Sequence, residues 1–169
     1  MKENKKIVVC QFYTSNVSYG KYSEKINQKY CEDNGYDYYV EKDGDKIKSK
    51  IGSRSWTWYK PYLIEEVFNS HPDCEYILFM DIDAVFCNNN RRIEEFITND
   101  FSILMTEDYG PSLVNAGVML IKNNQFSKDF IKDWWDICEE FPQYKEGLWH
   151  DQTCIGLLHQ RLTTPQEFK

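Results

Sequence analysis

The chain has 169 residues and a formal net charge of −7, with a pI near 5.0. This length fits one domain with a full hydrophobic core, and the acidic balance argues against a nucleic-acid-binding surface. No apolar run is long enough for a transmembrane helix, and the amino terminus does not match a signal peptide. We therefore expect a single cytoplasmic domain over residues 1–169, of unknown oligomeric state. The six cysteines form no C-x-x-C pair, so neither a zinc site nor a thioredoxin-like motif is expected.

Strand and helix patterns alternate through the first half of the chain. In order, they predict a strand over Ile7–Tyr13, a helix over Tyr22–Asn34 that ends at Gly35, a strand over Tyr36–Glu41, a charged loop through Ser53, and a helix from Pro61. The Pro61 helix presents apolar residues at helical spacing, which indicates that it packs on a core.

The second half of the chain repeats this alternation. In order, the patterns predict a strand over Tyr76–Ala84, a short helix over Arg92–Thr98, strands over Phe101–Thr106 and Val118–Ile121, an amphipathic helix over Phe126–Phe141, and a last helix over Gln152–Leu162. Strands that alternate with helices predict an α/β domain with a mostly parallel central sheet flanked by helices.

The strand predicted over Tyr76–Ala84 ends with two aspartates, Asp81 and Asp83. Side chains two apart on a strand share a face, so both carboxylates are expected to point the same way. Open α/β sheets bind ligands beyond the carboxyl ends of their strands. Paired carboxylates there suit a hard divalent cation that carries phosphate groups. The pattern therefore predicts metal-assisted chemistry on a phosphorylated substrate.

An Asp-x-Asp pair at a strand end also has other interpretations. Asp is common in solvated turns where strands end. Phosphatases of the haloacid-dehalogenase type use such a pair as nucleophile and acid. In that family the motif usually opens the domain, and an acidic pair follows it. Here the motif lies near mid-chain and no Asp-Asp or Gly-Asp-x-x-x-Asp follows, which weakens the phosphatase hypothesis without removing it.

Four motifs in a fixed order carry a family resemblance. They are WTWYKP at 56–61, MDIDAVF at 80–86, VNAGVMLIKNNQF at 114–126 and WHDQ at 149–152. The order and the residues of these motifs resemble those of the retaining glycosyltransferases of family 34, the α-galactosyl-, xylosyl- and mannosyltransferases. The glycogenin-like enzymes of family 8 are near relatives. The resemblance covers roughly Tyr22 to Leu158 and implies a GT-A (Rossmann-like) nucleotide-diphospho-sugar transferase fold.

The resemblance assigns the metal and part of the nucleotide-binding site. It implies that Asp81 and Asp83 bind Mn²⁺ (or Mg²⁺) and, through the cation, the diphosphate of the donor. Gln11, Phe12 and Tyr13 would lie along the base and ribose, beyond the first strand.

The resemblance also assigns residues around the transferred sugar. Lys60 is expected near the donor phosphates or sugar. Asn115, Ala116 and Gly117 are expected to form a turn against which the sugar rests.

Asp151 and Gln152 are the catalytic residues that the resemblance implies. They would flank the anomeric carbon, where a carboxylate stabilises oxocarbenium charge and an amide carbonyl supports the back face. In family members a histidine in a later segment is the third metal ligand, and the printed chain ends at Lys169 without such a segment. Either the chain is a trimmed form, or water fills that position.

The sequence therefore predicts a metal-dependent retaining glycosyltransferase. It would move a hexose or pentose from a nucleotide-diphosphate sugar to a glycan acceptor, with a UDP-sugar favoured over GDP-mannose. A phosphatase and a non-catalytic nucleotide-sugar-binding domain remain the alternative hypotheses. The acceptor side falls on loops such as Glu107–Leu113, which carry no readable specificity pattern.

Overall fold

A computed structural model describes residues 5–97, 100–108, 114–147 and 150–163. The strands are Ile7–Phe12 (β1), Asp37–Glu41 (β2), Tyr76–Met80 (β3), Ile103–Glu107 (β4) and Val114–Lys122 (β5). The α-helices are Gly20–Asn34 (α1), Gly44–Ile51 (α2), Tyr59–Ser70 (α3), Gln125–Glu140 (α4) and His150–Thr163 (α5). Short 3₁₀ turns cover Trp56–Trp58, Ile93–Phe96 and Pro142–Tyr144.

The five strands form one sheet in the order β2-β1-β3-β5-β4. β1 pairs in parallel with β2 and β3, whereas β5 is antiparallel to β3 and β4. Four strands therefore point the same way and β5 runs against them, which confirms the mostly parallel sheet with flanking helices. The carboxyl ends of these four strands meet at one edge of the sheet, where open α/β folds place their ligand sites.

The two faces of the sheet bury different sets of side chains. Val8, Cys10 and Phe79 belong to the core formed with α3, α4 and α5. Ile7 and Val9 belong to the core on the α1 face. This alternation follows from the period of two along a strand. Within the described ranges, no helix is both long enough and apolar enough to span a bilayer.

The segment after β2 contains a helix that the sequence analysis missed. A charged loop was predicted through Ser53, whereas the structure forms α2 there. Asp43 caps the helix by accepting hydrogen bonds from the backbone amides of Asp45 and Lys46. Ile47 and Ile51 lie one turn apart and are buried, so they provide the apolar face that the surrounding lysines obscure in the sequence.

Candidate functional site

The two aspartates lie in a turn after β3 rather than in the strand itself. β3 ends at Met80, and the Ala84 amide donates a hydrogen bond of 2.9 Å to the Asp81 carbonyl. The expected cause of their convergence, side-chain alternation along a strand, is therefore wrong. A tight turn instead brings the Asp81 and Asp83 carboxylates to the same cleft.

Asn115, Ala116 and Gly117 lie inside β5, which corrects the expected turn before that strand. The pairing of β5 with β4 is irregular at this point. Met105 pairs with Met119, but the next residue of β4, Thr106, pairs with Asn115, so the residues of β5 between Asn115 and Met119 have no partner in this register. The skipped stretch bulges from β4, and a bulge of this kind redirects a strand locally.

Gly117 lets the bulge approach the aspartate turn. The Asp81 amide donates a hydrogen bond of 2.6 Å to the Gly117 carbonyl. A Cβ at Gly117 would lie 2.9 Å from Asn115 Oδ1 and 3.0 Å from Asp81 Oδ2. A larger residue would therefore push these two side-chain oxygen atoms away from their positions, so glycine at 117 permits this close packing.

A cleft of about 350 Å³ opens beyond this sheet edge. It brings together eight of the residues that the sequence analysis assigned to the site: Phe12, Tyr13, Lys60, Asp81, Asp83, Asn115, Asp151 and Gln152. The cleft also has aromatic walls that the sequence analysis did not assign, formed by Tyr19 and Trp56, which are 49% and 45% exposed. Exposed aromatic faces of this size suit the apolar face of a sugar or base.

Gln11 does not line the cleft. Its side chain is fully buried, and its Nε2 donates a hydrogen bond of 3.0 Å to the Asp81 carbonyl. The next residue, Phe12, does line the cleft. Adjacent residues of β1 point to opposite faces of the sheet, so Gln11 and Phe12 contact different surroundings.

Lys60 joins the aspartate turn to helix α5. Its ammonium lies 3.1 Å from Asp81 Oδ2 and 3.2 Å from Asp151 Oδ2. It also donates to the Ala116 carbonyl at 3.4 Å. The Lys60 and Asp151 side chains are only 7% and 2% exposed. A single buried cation therefore balances two carboxylates that come from different elements of the fold.

Burial and charge act against each other on this ion cluster. Burial lowers the pKa of Lys60, but the Asp151 and Asp81 carboxylates outweigh it and leave the pKa raised. For Asp81, burial outweighs the lowering effect of Lys60 and leaves the pKa raised, at about 6. Lys60 is therefore charged at neutral pH, whereas Asp81 titrates near the lower end of the physiological range.

Gln152 is held in one orientation by hydrogen bonds on both sides of its amide. Oε1 accepts from the Ala116 backbone amide at 3.0 Å, and Nε2 donates to Asp108 Oδ2 at 2.5 Å. Asp108 follows β4 and was not singled out by the sequence analysis. Trp134 supports the same helix start, since its indole N–H donates to the Asp151 carbonyl at 2.8 Å.

The donor atoms of the aspartate turn are chemically suited to a hard divalent cation. Asp81 and Asp83 both line the cleft, and the Asn115 amide oxygen accepts a hydrogen bond of 2.8 Å from the Gly117 backbone amide. Within the described part of the chain, no group of three or more His, Cys, Asp or Glu side chains is placed to hold a metal. Two carboxylates fit Mn²⁺ or Mg²⁺ when water and phosphate oxygens complete the coordination, as is usual for Mg²⁺.

Some predicted features fall outside the described residues. They are Trp149 of the fourth motif, residues 109–113 of the acceptor-side loop, and the carboxyl terminus from residue 164.

Curated relatives of the chain carry glycosyltransferase names. A probable glycosyltransferase 7 of Oryza sativa subsp. indica is 28% identical over 95 residues, which cover 52% of this chain and 21% of that protein. An uncharacterized alpha-1,2-galactosyltransferase of Schizosaccharomyces pombe is 22% identical, over 78% of this chain and 43% of that protein. The match thus spans less than half of either relative.

Solved structures with the same fold are also glycosyltransferases. One takes part in glycosylation of the major capsid of PBCV-1 and superposes with a TM-score of 0.74 at 18% identity, covering 94% of this chain and 78% of that one. The galactosyltransferase LgtC, solved with donor and acceptor sugar analogs, gives a TM-score of 0.56 at 14% identity, covering 89% of this chain and 70% of that one. These likenesses confirm the GT-A fold. The family model described as "Protein of unknown function, DUF273" matches residues 27–168, so the chain belongs to that family.

Proposed function

We propose that this protein is a metal-dependent retaining glycosyltransferase that uses a nucleotide-diphosphate sugar. The observation that carries the proposal is the cleft at the carboxyl edge of the sheet. There Asp81 and Asp83 share one lining with Lys60, Asp151 and Gln152. Carboxylates for a cation, a buried ammonium and an oriented amide together provide what transfer from a sugar diphosphate requires.

The aspartate turn would bind the donor diphosphate through Mn²⁺ or Mg²⁺. When bound, the cation supplies positive charge that stabilises the departing nucleoside diphosphate. Lys60 would add a second positive charge on the same side of the cleft, held in place by Asp151. Phe12 and Tyr13 would contact the nucleoside, since both line the cleft at the end of β1.

Asp151 and Gln152 would contact the transferred sugar. The Asp151 carboxylate can stabilise positive charge that develops at the anomeric carbon. In a retaining transfer, the bond from the anomeric carbon to the diphosphate oxygen breaks, and the acceptor oxygen bonds on the same face. The acceptor proton passes to the departing phosphate, so no side-chain base is needed.

The finer assignment to a family 34-like enzyme rests on the four ordered motifs in the sequence. We propose a UDP-sugar as donor, in preference to GDP-mannose, and a glycan as acceptor. The names of the galactosyltransferase relatives agree with a hexose donor. The exposed aromatic surfaces of Tyr19 and Trp56 provide stacking area for sugar or base rings.

A thermal-shift screen of UDP- and GDP-sugars, with and without Mn²⁺, tests this proposal. We expect at least one UDP-sugar to raise the melting temperature only when Mn²⁺ is present, because ligand binding stabilises the native state by mass action. Chromatography of the reaction products, with simple glycosides as acceptors, then tests turnover. Binding without turnover would favour the non-catalytic alternative, and metal-dependent phosphate release from phosphomonoesters would favour the phosphatase.

Asp83→Asn is the informative variant, because Asp83 is exposed and its replacement leaves the core intact. We expect it to weaken Mn²⁺-dependent donor binding at least about 100-fold and to change stability by less than about 0.5 kcal/mol. Asp37→Asn, at an exposed position at the start of β2, is the matched control and should bind donor normally. Equal donor binding by Asp83→Asn and the parent protein would contradict the proposal.

A further inference from the structure

A buried cluster of polar side chains lies behind the aspartate turn, on the α1 side of the sheet. Gln11 of β1 and Asn27 of α1 are both fully buried. Asn27 Nδ2 donates to Gln11 Oε1 at 2.8 Å, and the Tyr38 hydroxyl donates to the same oxygen at 2.8 Å. Neither amide lines the cleft, so neither is placed to contact a ligand there.

The two amides fix the backbone on either side of Asp83. Gln11 Nε2 donates to the Asp81 carbonyl at 3.0 Å. Asn27 Nδ2 donates to the Ala84 carbonyl at 2.9 Å, and Asn27 Oδ1 accepts from the Phe86 amide at 3.0 Å. The Asp81 carbonyl also closes the turn by accepting from Ala84. Each amide thus contacts the turn or the residues that leave it.

Helix α1 holds the same segment through a second contact. The Phe86 ring stacks on Tyr30 of α1, with ring centroids 3.6 Å apart and planes 12° apart. Asn27 and Tyr30 lie three residues apart, so they share one face of the helix. The α1 helix therefore contacts residues on the carboxyl side of Asp83 through a hydrogen-bonded amide and an aromatic ring.

Burying these two amides costs free energy, which is offset only when their hydrogen bonds hold a defined geometry. A buried primary amide must satisfy its donors and acceptors, because each unpaired group costs about 1–3 kcal/mol. Apolar side chains of similar volume would leave the Ala84 carbonyl and the Phe86 amide without these side-chain partners. The hydrogen bonds of Gln11 and Asn27 are directed at the aspartate turn, which is the segment that must hold two carboxylates in a fixed relation.

We propose that Asn27 and Gln11 are positioning residues that set the separation of the Asp81 and Asp83 carboxylates for a divalent cation. They act through the backbone of the turn and touch neither cation nor substrate. The inference rests on the proposed function, because it assigns a role toward the metal of that site. Residues that orient metal ligands typically change metal affinity 10- to 100-fold when they are replaced.

A calorimetric titration measures the affinity of the Asn27→Ser and Gln11→Met variants for Mn²⁺ alone. It tests the proposal without any turnover. We expect both variants to bind Mn²⁺ at least about 10-fold more weakly than the parent protein. Circular dichroism and melting temperature establish that each variant is folded. Gln11→Met is the milder change, because it keeps the side-chain length and retains the Asn27 bonds to Ala84 and Phe86.

Asn123→Ala is the matched control for loss of a structural amide. Asn123 Nδ2 donates to the Cys74 carbonyl at 2.8 Å and to the Pro72 carbonyl at 3.3 Å. These bonds fix the turn before β3, at the end of the strand away from the cleft. We expect Asn123→Ala to lower the melting temperature and to leave Mn²⁺ affinity within twofold of the parent value.

The outcomes separate this inference from the proposed function. If the parent protein binds no Mn²⁺, the metal site fails and the inference fails with it. If the parent binds Mn²⁺ and the folded Gln11→Met variant binds within twofold of it, only the positioning role is overturned. The same conclusion follows if Asn123→Ala weakens Mn²⁺ binding as much as the two test variants do. General destabilisation would then account for the effect.

Discussion

The aspartate turn has a charged side and a neutral side. On the cleft side, Lys60 lies between the Asp81 and Asp151 carboxylates. On the opposite side, Gln11 and Asn27 hold the backbone of the turn with uncharged amides. Both sides are buried at their centres, but the cleft side contains Asp81, whose pKa of about 6 lies close to the physiological pH range.

The charged side and the neutral side of the turn have different tasks. The charged side can respond to a ligand, because an added cation or diphosphate changes the balance among Lys60, Asp81 and Asp151. The amides of Gln11 and Asn27 cannot titrate, so their hydrogen bonds keep the turn in place whatever the charge state of the cleft. Buried ion clusters lose much stability when one partner is removed, whereas a single neutral hydrogen bond contributes about 1 kcal/mol.

Removal of Lys60 should show the largest difference between the two sides. Lys60→Met leaves two carboxylates without their counter-ion, which should cost about 3 kcal/mol of stability and lower the melting temperature by about 10 °C. The loss should shrink toward pH 5, because protonated Asp81 removes one of the unpaired charges. Urea denaturation at two pH values measures both effects.

Lys46→Met is the control for that experiment. Lys46 pairs with Glu41 and Glu66, but its side chain is 32% exposed. An ion pair with this exposure should contribute about 1 kcal/mol or less. If Lys60→Met is no more destabilising than Lys46→Met, the ion cluster at the cleft has no special energetic role.

The pH dependence of Mn²⁺ binding tests the role of the charged side of the turn. The pKa of Asp81 is about 6, and the cation competes with the proton for this carboxylate. Affinity should therefore fall about tenfold as pH is lowered from about 7 to 5, and it should level off above neutral pH. Calorimetry with Mn²⁺ alone measures this profile, and a flat profile would contradict the role of Asp81 as a ligand.

The Lys60 variant provides an internal check on that profile. The Lys60 ammonium lowers the pKa of Asp81, so Lys60→Met should move the binding curve to higher pH. Asp37→Asn lies outside the cleft and should leave the pH dependence of Mn²⁺ affinity unchanged.

The smallest effect is expected at the edge of the neutral side. Tyr38→Phe removes one of the two donors to Gln11 Oε1 and leaves the bond from Asn27 in place. The loss should be about 1 kcal/mol in stability, with Mn²⁺ affinity changed less than about threefold. Chemical denaturation and calorimetry measure the two quantities. A larger change in affinity than in Asn27→Ser would mean that the network is organised around Tyr38 instead.

Regular elements and part of the site could be predicted from local sequence. Apolar strands and the spacing of α3 and α4 indicated an α/β sheet, because burial of one face imposes a period that the chain displays directly. The helix α2 was missed, since its two buried isoleucines are surrounded by lysines and aspartates. Asp43 and Gly52, which flank it as cap residues, were the available signal.

The sequence by itself predicted which side chains would line the candidate site. The aspartate pair, Lys60 and the Asp-Gln pair were assigned from their motifs, and all of them line the cleft. The resemblance of four ordered motifs to a known family is enough for such an assignment, because the order of the motifs is a property of the sequence itself.

Only the tertiary structure decided how these groups are oriented. It placed Asp81 in a turn, Gly117 in a bulge beneath it, and Gln11 on the far face of the sheet. It also paired Asp108 with Gln152. These relations depend on contacts between residues far apart in the chain, and a local pattern does not encode which distant backbone group a buried amide will meet.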